Sequence, residues 1–445
     1  MTVQTLHAIG ELLGAVGQTG SFAVRDTVPG GNPALKVDGI GAVTLPVSAE
    51  QARALCEIAH PAHYGRGEQT LLDPSVRDTW QIPRELVTVD DQRMLTPLLD
   101  SLRDRLGLAP ERTLSAELHS VLVYEKGQFF RPHQDSEKAD GMIATLVVTL
   151  PSAFSGGEFV VEHQGQRVID QGSPTELGIV AFYADCTHEV LPVTEGYRIS
   201  LTYNLITSTS APRGGDPSAA DSVEALAGQL REHFTVPIPV PQWKRNGGPD
   251  HRAPERMVYL LDHQYSRLGL NWWQLKGADS VRADMLFSAA DTAGLEVALA
   301  LTEIQQSQAY GRFEDEGWLV GRHRRWERTG DQWELVDETW DPVDGEDEPF
   351  EDAPTGVLPA DHPALIEQVD PEAGHDPTTM TWLVGTDDHT GEPERNYVDR
   401  DELCTAPKAP DLRPFALESE GFMGNEGNTV DRWYSRAAIV VSPRH

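Results

Sequence analysis

The sequence predicts an α+β chain built around an all-β sandwich or barrel. Three observations predict it. Between Ser115 and Ile206, short β-branched and aromatic runs are broken every few residues by turn signals. On both sides of that stretch apolar residues recur at helical spacing. The 445 residues, 39% of them hydrophobic, are enough for more than one buried core.

Residues 1–45 are rich in Gly and alternate weakly, as in short strands and turns. Ser48 is placed to cap a helix whose apolar face is Ala52, Leu55, Cys56, Ile58 and Ala59. A second helix is expected over Met94–Leu106, with Leu95, Leu98, Leu99, Leu102 and Leu106 on one side. Strands follow at Ser120–Tyr124, Ile143–Leu150, Glu158–Val161, Leu177–Tyr183 and Tyr197–Tyr203, with turns at Ser155-Gly-Gly157 and Gln171-Gly-Ser-Pro174. Residues 207–256 read as a linker with one helix near 221–233. Beyond it come a helix over Ala278–Ala293, a strand over Leu295–Thr302 and a buried strand at Ala437–Val441. The expected layout is therefore a support region 1–114, a β core 115–206, a linker 207–256 and a non-catalytic α+β domain 257–445.

Lys and Arg number 36 and Asp and Glu 70, a net charge of −34. Such a chain repels phosphate backbones and anionic bilayers, which excludes nucleic-acid and membrane-surface partners as an expectation. Cys56, Cys186 and Cys404 are too few for a disulfide scaffold and contain no CxxC pair. The N-terminus lacks a basic flank, and no apolar run approaches the ~20 residues that span a bilayer. The expected location is the cytoplasm. The stretch Asp341–Asp352 holds seven acidic residues and reads as a solvated loop.

The chemistry lies between Tyr124 and Ser200. His133-Gln-Asp135 follows a strand, and in extended chain residues i and i+2 point to the same side. An imidazole and a carboxylate so placed can share one metal ion. Of the 15 histidines only His133 has Asp at i+2. His188, just beyond a strong strand, supplies a third candidate ligand. Two histidines and a carboxylate are the facial triad of non-haem Fe(II) oxygenases. Arg198 and Ser200 again share a strand face, where a guanidinium and a hydroxyl can grip the far carboxylate of a metal-chelating keto acid. Tyr124 is placed to donate to the same acid.

These segments resemble the prolyl 4-hydroxylase-type branch of the 2-oxoglutarate- and Fe(II)-dependent dioxygenases. The likeness rests on Tyr124-Glu-Lys-Gly-Gln-Phe-Phe-Arg-Pro-His133-Gln-Asp135, Leu150-Pro, Gly156-Gly-Glu158, Phe182-Tyr-Ala-Asp-Cys-Thr-His188 and Gly196-Tyr-Arg198-Ile-Ser200. It implies a double-stranded β-helix (jelly-roll) core, to which the elements read above add flanking helices and a second α+β C-terminal domain. It also implies Fe(II) on His133, Asp135 and His188, with 2-oxoglutarate held by Arg198, Ser200 and Tyr124. O2 is the co-substrate, and ascorbate a candidate auxiliary reductant. The implied reaction hydroxylates an unactivated C–H bond of a protein side chain (prolyl-type) or a small molecule, releasing succinate and CO2. Asp135 is intact, unlike in halogenating relatives, so hydroxylation is the expected outcome. A looser likeness to larger proteins of this superfamily comes from Tyr64-Gly-Arg-Gly67, Val76-Arg-Asp-Thr-Trp80, Leu260-Leu-Asp-His263, Leu275-Lys-Gly-Ala-Asp279, Gly424-Asn-Glu-Gly427 and Trp433–Ala438.

Two other classes compete. One is a catalytically inert β-helix scaffold presenting its C-terminal half to a partner. The other is a zinc hydrolase on the same three ligands, which leaves Arg198-x-Ser200 unexplained and lacks an HExxH helix. The basic run Arg322–Arg328, the turn at Asn425-Glu426 and the pair Trp272-Trp273 read as structural.

Overall fold

In the computed structural model, residues 2–16, 20–66, 69–109, 111–135, 141–208, 220–240, 248–266, 269–310, 322–329, 332–340, 378–386, 393–398, 402–405, 416–420 and 428–444 are described. The acidic stretch 341–352, the turn at Asn425-Glu426 and the linker residues 209–219 and 241–247 lie outside them. Of the basic run, only the backbone of a strand over Arg322–Thr329 is described.

The chain forms two compact units. One comprises Leu12–Ala225 with Tyr265–Ala289; the other comprises Met1–Glu11, Leu226–Gln264 and Ala290–His445.

The first unit is built on two antiparallel sheets. The larger has seven strands in the spatial order Ala23–Val28, Leu177–Tyr183, Met142–Thr149, Arg198–Ser208, Thr113–Tyr124, Trp80–Ile82 and His60–Pro61. Its two neighbours Met142–Thr149 and Leu177–Tyr183 are buried at every residue, which is why they read as unbroken apolar runs rather than alternating ones. The smaller sheet runs Gln166–Asp170, Phe159–His163, Thr187–Val190, Phe129–His133 and Arg77–Asp78. One continuous apolar core includes Val123, Leu146, Val148, Ile179 and Leu201 of the first sheet and Phe159, Val161 and Val190 of the second. The result is a jelly roll within an α+β chain.

Two helices pack on Thr113–Tyr124. Ala49–Ile58 starts where Ser48 Oγ accepts the Gln51 N–H at 3.2 Å, and it buries Ala52 and Leu55. Gln92–Arg105 starts two residues before its expected limit and buries Leu95 and Leu102.

Residues Thr2–Gly14 differ from expectation, forming a helix rather than strands and turns. Leu6, Ile9 and Leu13 recur at i, i+3 and i+7 and are buried. Gly10 disguises that period, but a Cβ there would lie 2.4 Å from the Thr405 carbonyl oxygen, so close backbone approach excludes a larger residue.

The second unit contains a largely antiparallel nine-stranded sheet. Its centre is Leu295–Tyr310 paired with Asn428–Pro443, in register from Leu295↔Pro443 to Tyr310↔Asn428. The two strands expected at Leu295–Thr302 and Ala437–Val441 are thus halves of one ladder. Among the described residues no helix is long and apolar enough to cross a membrane.

Candidate functional site

Antiparallel pairing of Phe129–His133 with Thr187–Val190 sets His133 opposite His188. Asp135, two residues beyond the strand end, is drawn in by its own N–H, which donates to the Ala184 carbonyl at 3.2 Å. One ligand atom from each of His133, Asp135 and His188 falls within 4.8 Å of the others. The His188 Nε2 to Asp135 Oδ2 distance is 3.7 Å, and the two imidazole centroids are 4.1 Å apart.

The surroundings aim these atoms. His133 Nδ1 lies 2.9 Å from the Arg131 carbonyl, and His188 Nδ1 lies 3.1 Å from the Cys186 carbonyl. A carbonyl can only accept, so each Nδ1 carries a proton, and that contact orients each ring with its Nε2 away from the carbonyl. Thr145 Oγ1 donates to Asp135 Oδ2 at 2.7 Å, fixing that carboxylate. Phe130 stacks on the His133 ring at 3.6 Å, and Phe182 lies against His188 at 4.6 Å. Burial, together with neighbouring His188, holds His133 well below the ordinary histidine pKa, so it is neutral and able to donate a lone pair.

On the larger sheet, Tyr124 is in register with Arg198, and Leu122 with Ser200. Arg198 is 2% exposed. Its guanidinium donates to Ser200 Oγ at 3.1 Å and to Thr149 Oγ1 at 3.2 Å, and lies 5.6 Å from the Tyr124 ring centroid. Burial lowers its pKa, with Tyr124 and Asp170 opposing. Among the described residues Arg198 makes no ion pair, so a buried cation waits for an anion. The same cavity, about 110 Å³, is lined by the three ligand residues, Tyr124, Arg198 and Ser200.

Gly156 and Gly157 form the bend beside Arg198, both in the left-handed region at φ 68° and 66°. A Cβ on Gly157 would lie 2.8 Å from Val193 Cγ2 and 3.4 Å from Arg198 Cδ. Gly157→Ala is expected to raise the dissociation constant for a dicarboxylate ligand about tenfold through misplacement of Arg198 (a ~1.4 kcal/mol effect). Calorimetric titration checks it, and an unchanged constant would rule out that steric route.

Arg77 is a pocket residue given no role from sequence. Its Nη1 donates to the His63 carbonyl at 2.6 Å, and its guanidinium lies 4.5 Å from the Phe130 ring centroid. Nε finds no acceptor among the described residues. Burial lowers the Arg77 pKa, with Tyr124 and Asp135 opposing. Its only sequence signal was membership of Val76-Arg-Asp-Thr-Trp80. Thr149, on a neighbouring strand, was likewise unremarked.

The three cysteines are free. Burial pushes the Cys56 and Cys404 thiols up to about 12 and raises Cys186 well above the usual thiol value. None is a thiolate at pH 8. The folded protein is expected to resist iodoacetamide there while unfolded chain takes three labels, a difference that intact-mass measurement reads directly.

A jelly roll carrying two imidazoles and a carboxylate beside a buried arginine without an ion pair among the described residues brings together groups that could hold a metal ion and an anion. The donor set, without thiolate, suits Fe(II), and the arginine suits a carboxylate co-substrate. Residues 119–206 match the family model described as the 2OG-Fe(II) oxygenase superfamily. This stretch is an oxygenase domain of that superfamily, and the chain is an enzyme of that class, whose cofactors are Fe(II), 2-oxoglutarate and O2. No curated protein matches the chain. Among solved structures it is similar to a Pseudomonas putida prolyl-4-hydroxylase, with 19% identity, 45% of this chain and 98% of that one covered, and TM-score 0.25. A 2OG-Fe(II) oxygenase family oxidoreductase from Burkholderia pseudomallei gives 18% identity, 47% and 93% coverage, and TM-score 0.26. A Trichoplax adhaerens prolyl hydroxylase in complex with a hypoxia inducible factor peptide fragment gives 15%, 46% and 91%, and 0.28.

Proposed function

We propose that the chain hydroxylates an unactivated C–H bond of a protein side chain, prolyl-type, or of a small molecule, with 2-oxoglutarate converted to succinate and CO2. The observation that carries this reading is a single cavity holding both the three-ligand cluster and the buried, unpaired Arg198. His133, Asp135 and His188 would hold Fe(II). Arg198 would take the distal carboxylate of 2-oxoglutarate, with Ser200 and Tyr124 beside it. Bound there, the iron supplies the redox chemistry that couples keto-acid decarboxylation to hydroxylation.

The chain's own contribution is positioning. Thr145 donates to Asp135 Oδ2, the oxygen that also lies 3.7 Å from His188 Nε2, and so fixes how the carboxylate faces the histidines. Phe130, Phe159 and Phe182 surround the imidazoles and limit water at the ligand atoms. Arg77 offers its Nε to an acceptor on the molecule being oxidised. The oxygenase core is assigned to residues 115–206, with 1–114 as support, 207–256 as linker and 257–445 largely non-catalytic.

Anaerobic titration of the metal-free protein with Fe(II) and 2-oxoglutarate tests this without knowledge of the substrate. A visible metal-to-ligand charge-transfer band that saturates at one equivalent is expected. Folded protein that gives no band would return the chain to the inert-scaffold reading.

A further inference from the structure

The turn between strands Leu177–Tyr183 and Thr187–Val190 does more than connect them. Three consecutive carbonyls in it each reach the ligand cluster. Ala184 accepts the Asp135 N–H at 3.2 Å, Asp185 accepts Gln134 Nε2 at 2.7 Å, and Cys186 is the Nδ1 partner of His188 at 3.1 Å. Whatever fixes this turn therefore fixes Asp135 and His188, with the intervening Gln134, relative to one another.

The side chain of the middle residue is tied down from outside the family-matched stretch. Asp185 Oδ1 lies 3.1 Å from Lys276 Nζ, and the two side chains are 6% and 2% exposed. Lys276 belongs to Tyr265–Ala289, the segment that joins the jelly roll in the first unit. That segment is itself anchored around Lys276. The Lys276 N–H donates to Tyr265 Oη at 2.8 Å, and the Gly277 N–H to Tyr183 Oη at 3.0 Å. Arg112 donates to the Leu275 carbonyl at 3.0 Å and to Ser280 Oγ at 3.1 Å. The ammonium also sits 4.8 Å from the Tyr265 ring centroid.

A buried ammonium and carboxylate hold each other's position, because an uncompensated buried charge is driven toward water. A buried pair is a poor source of net stability but a strict specifier of position. We propose that Lys276 is a positioning residue for the metal centre, acting through Asp185 to hold the 184–186 carbonyls against Asp135, Gln134 and His188. The proposal rests on the reading of His133, Asp135 and His188 as metal ligands. It makes residues 265–289 a working part of the oxygenase unit rather than of a separate C-terminal domain.

The test is Mn(II) binding to the metal-free full-length chain, followed by electron paramagnetic resonance without keto acid or substrate. Lys276→Met is expected to weaken Mn(II) binding about 10–100-fold, the range for loss of a partner that orients metal ligands. Asp185→Asn combined with Lys276→Met removes both buried charges. This double variant should regain thermal stability while its metal affinity stays low, because the tether is gone. Tyr203→Phe, which removes the 2.7 Å hydrogen bond to Asp91 at residues that do not line the pocket, should lower the melting temperature and leave affinity alone. Wild-type affinity in folded Lys276→Met, or affinity that recovers with stability in the double variant, overturns the proposal. If Lys276→Met does not fold, the double variant decides alone. A wild type that binds no Mn(II) would instead remove the ligand assignment, and this proposal with it.

Discussion

Replacing His133 with alanine is expected to abolish the Fe(II)–2-oxoglutarate charge-transfer band and weaken Fe(II) binding by more than ~100-fold. The bound comes from outer partners alone, whose loss typically costs about 10–100-fold, so loss of a ligand must cost at least as much. The fold should survive the change. His133 is neutral, its Nε2 serves no internal hydrogen bond among the described residues, and its Nδ1 contact to the Arg131 carbonyl is local. The circular dichroism spectrum should therefore match wild type, and the 2-oxoglutarate contacts of Arg198 should remain measurable by calorimetry in metal-free protein. Iron-dependent succinate release at the wild-type rate in this variant would show that the ligands lie elsewhere.

The residues now grouped at the site were legible to different degrees. His133-Gln-Asp135 and Arg198-Ile-Ser200 could be read from the sequence because their information is local: i and i+2 on extended chain share a side. His188 needed one further assumption, that a strong strand ends just before it. The strands carrying His133 and His188 were themselves not expected. Phe129–His133 holds proline, arginine and histidine, and Thr187–Val190 is four residues long, so neither has the period or the length that marks a strand. They form because each finds a partner across the smaller sheet, a tertiary fact.

Arg77 and Lys276, named only as members of Val76-Arg-Asp-Thr-Trp80 and Leu275-Lys-Gly-Ala-Asp279, could be given no role for the same reason. One arrives from a two-residue strand, Arg77–Asp78, paired at the sheet edge, and the other from 68 residues beyond the end of the last core strand at Ser208. The helix Thr2–Gly14 was hidden differently. Its period was present in Leu6, Ile9 and Leu13, but Gly10 and the absence of a capping residue made the local signals point to turns.

The second large effect concerns Arg198, and it separates stability from function. Arg198→Met should raise the dissociation constant for 2-oxoglutarate about 10²–10⁴-fold. A bidentate, charge-assisted grip supplies two hydrogen bonds, and each bond to a charged group is worth about 1.5–3 kcal/mol. Pyruvate has the keto acid end but no distal carboxylate, so its affinity should be nearly the same in wild type and variant. Comparing the two acids isolates the contact with the far carboxylate from any general damage to the pocket. Without ligand, the substitution should leave the melting temperature unchanged or raise it. Wild-type Arg198 is 2% exposed and, among the described residues, has only the hydroxyls of Ser200 and Thr149 as hydrogen-bond partners, so the free protein carries a buried charge that an apolar chain of similar length relieves. Added 2-oxoglutarate should then stabilise wild type strongly and the variant hardly at all, since stabilisation follows occupancy. Equal weakening of both acids would instead assign Arg198 to pocket shape and leave the co-substrate's far end to another cation, of which Arg77 is the one already in the cavity.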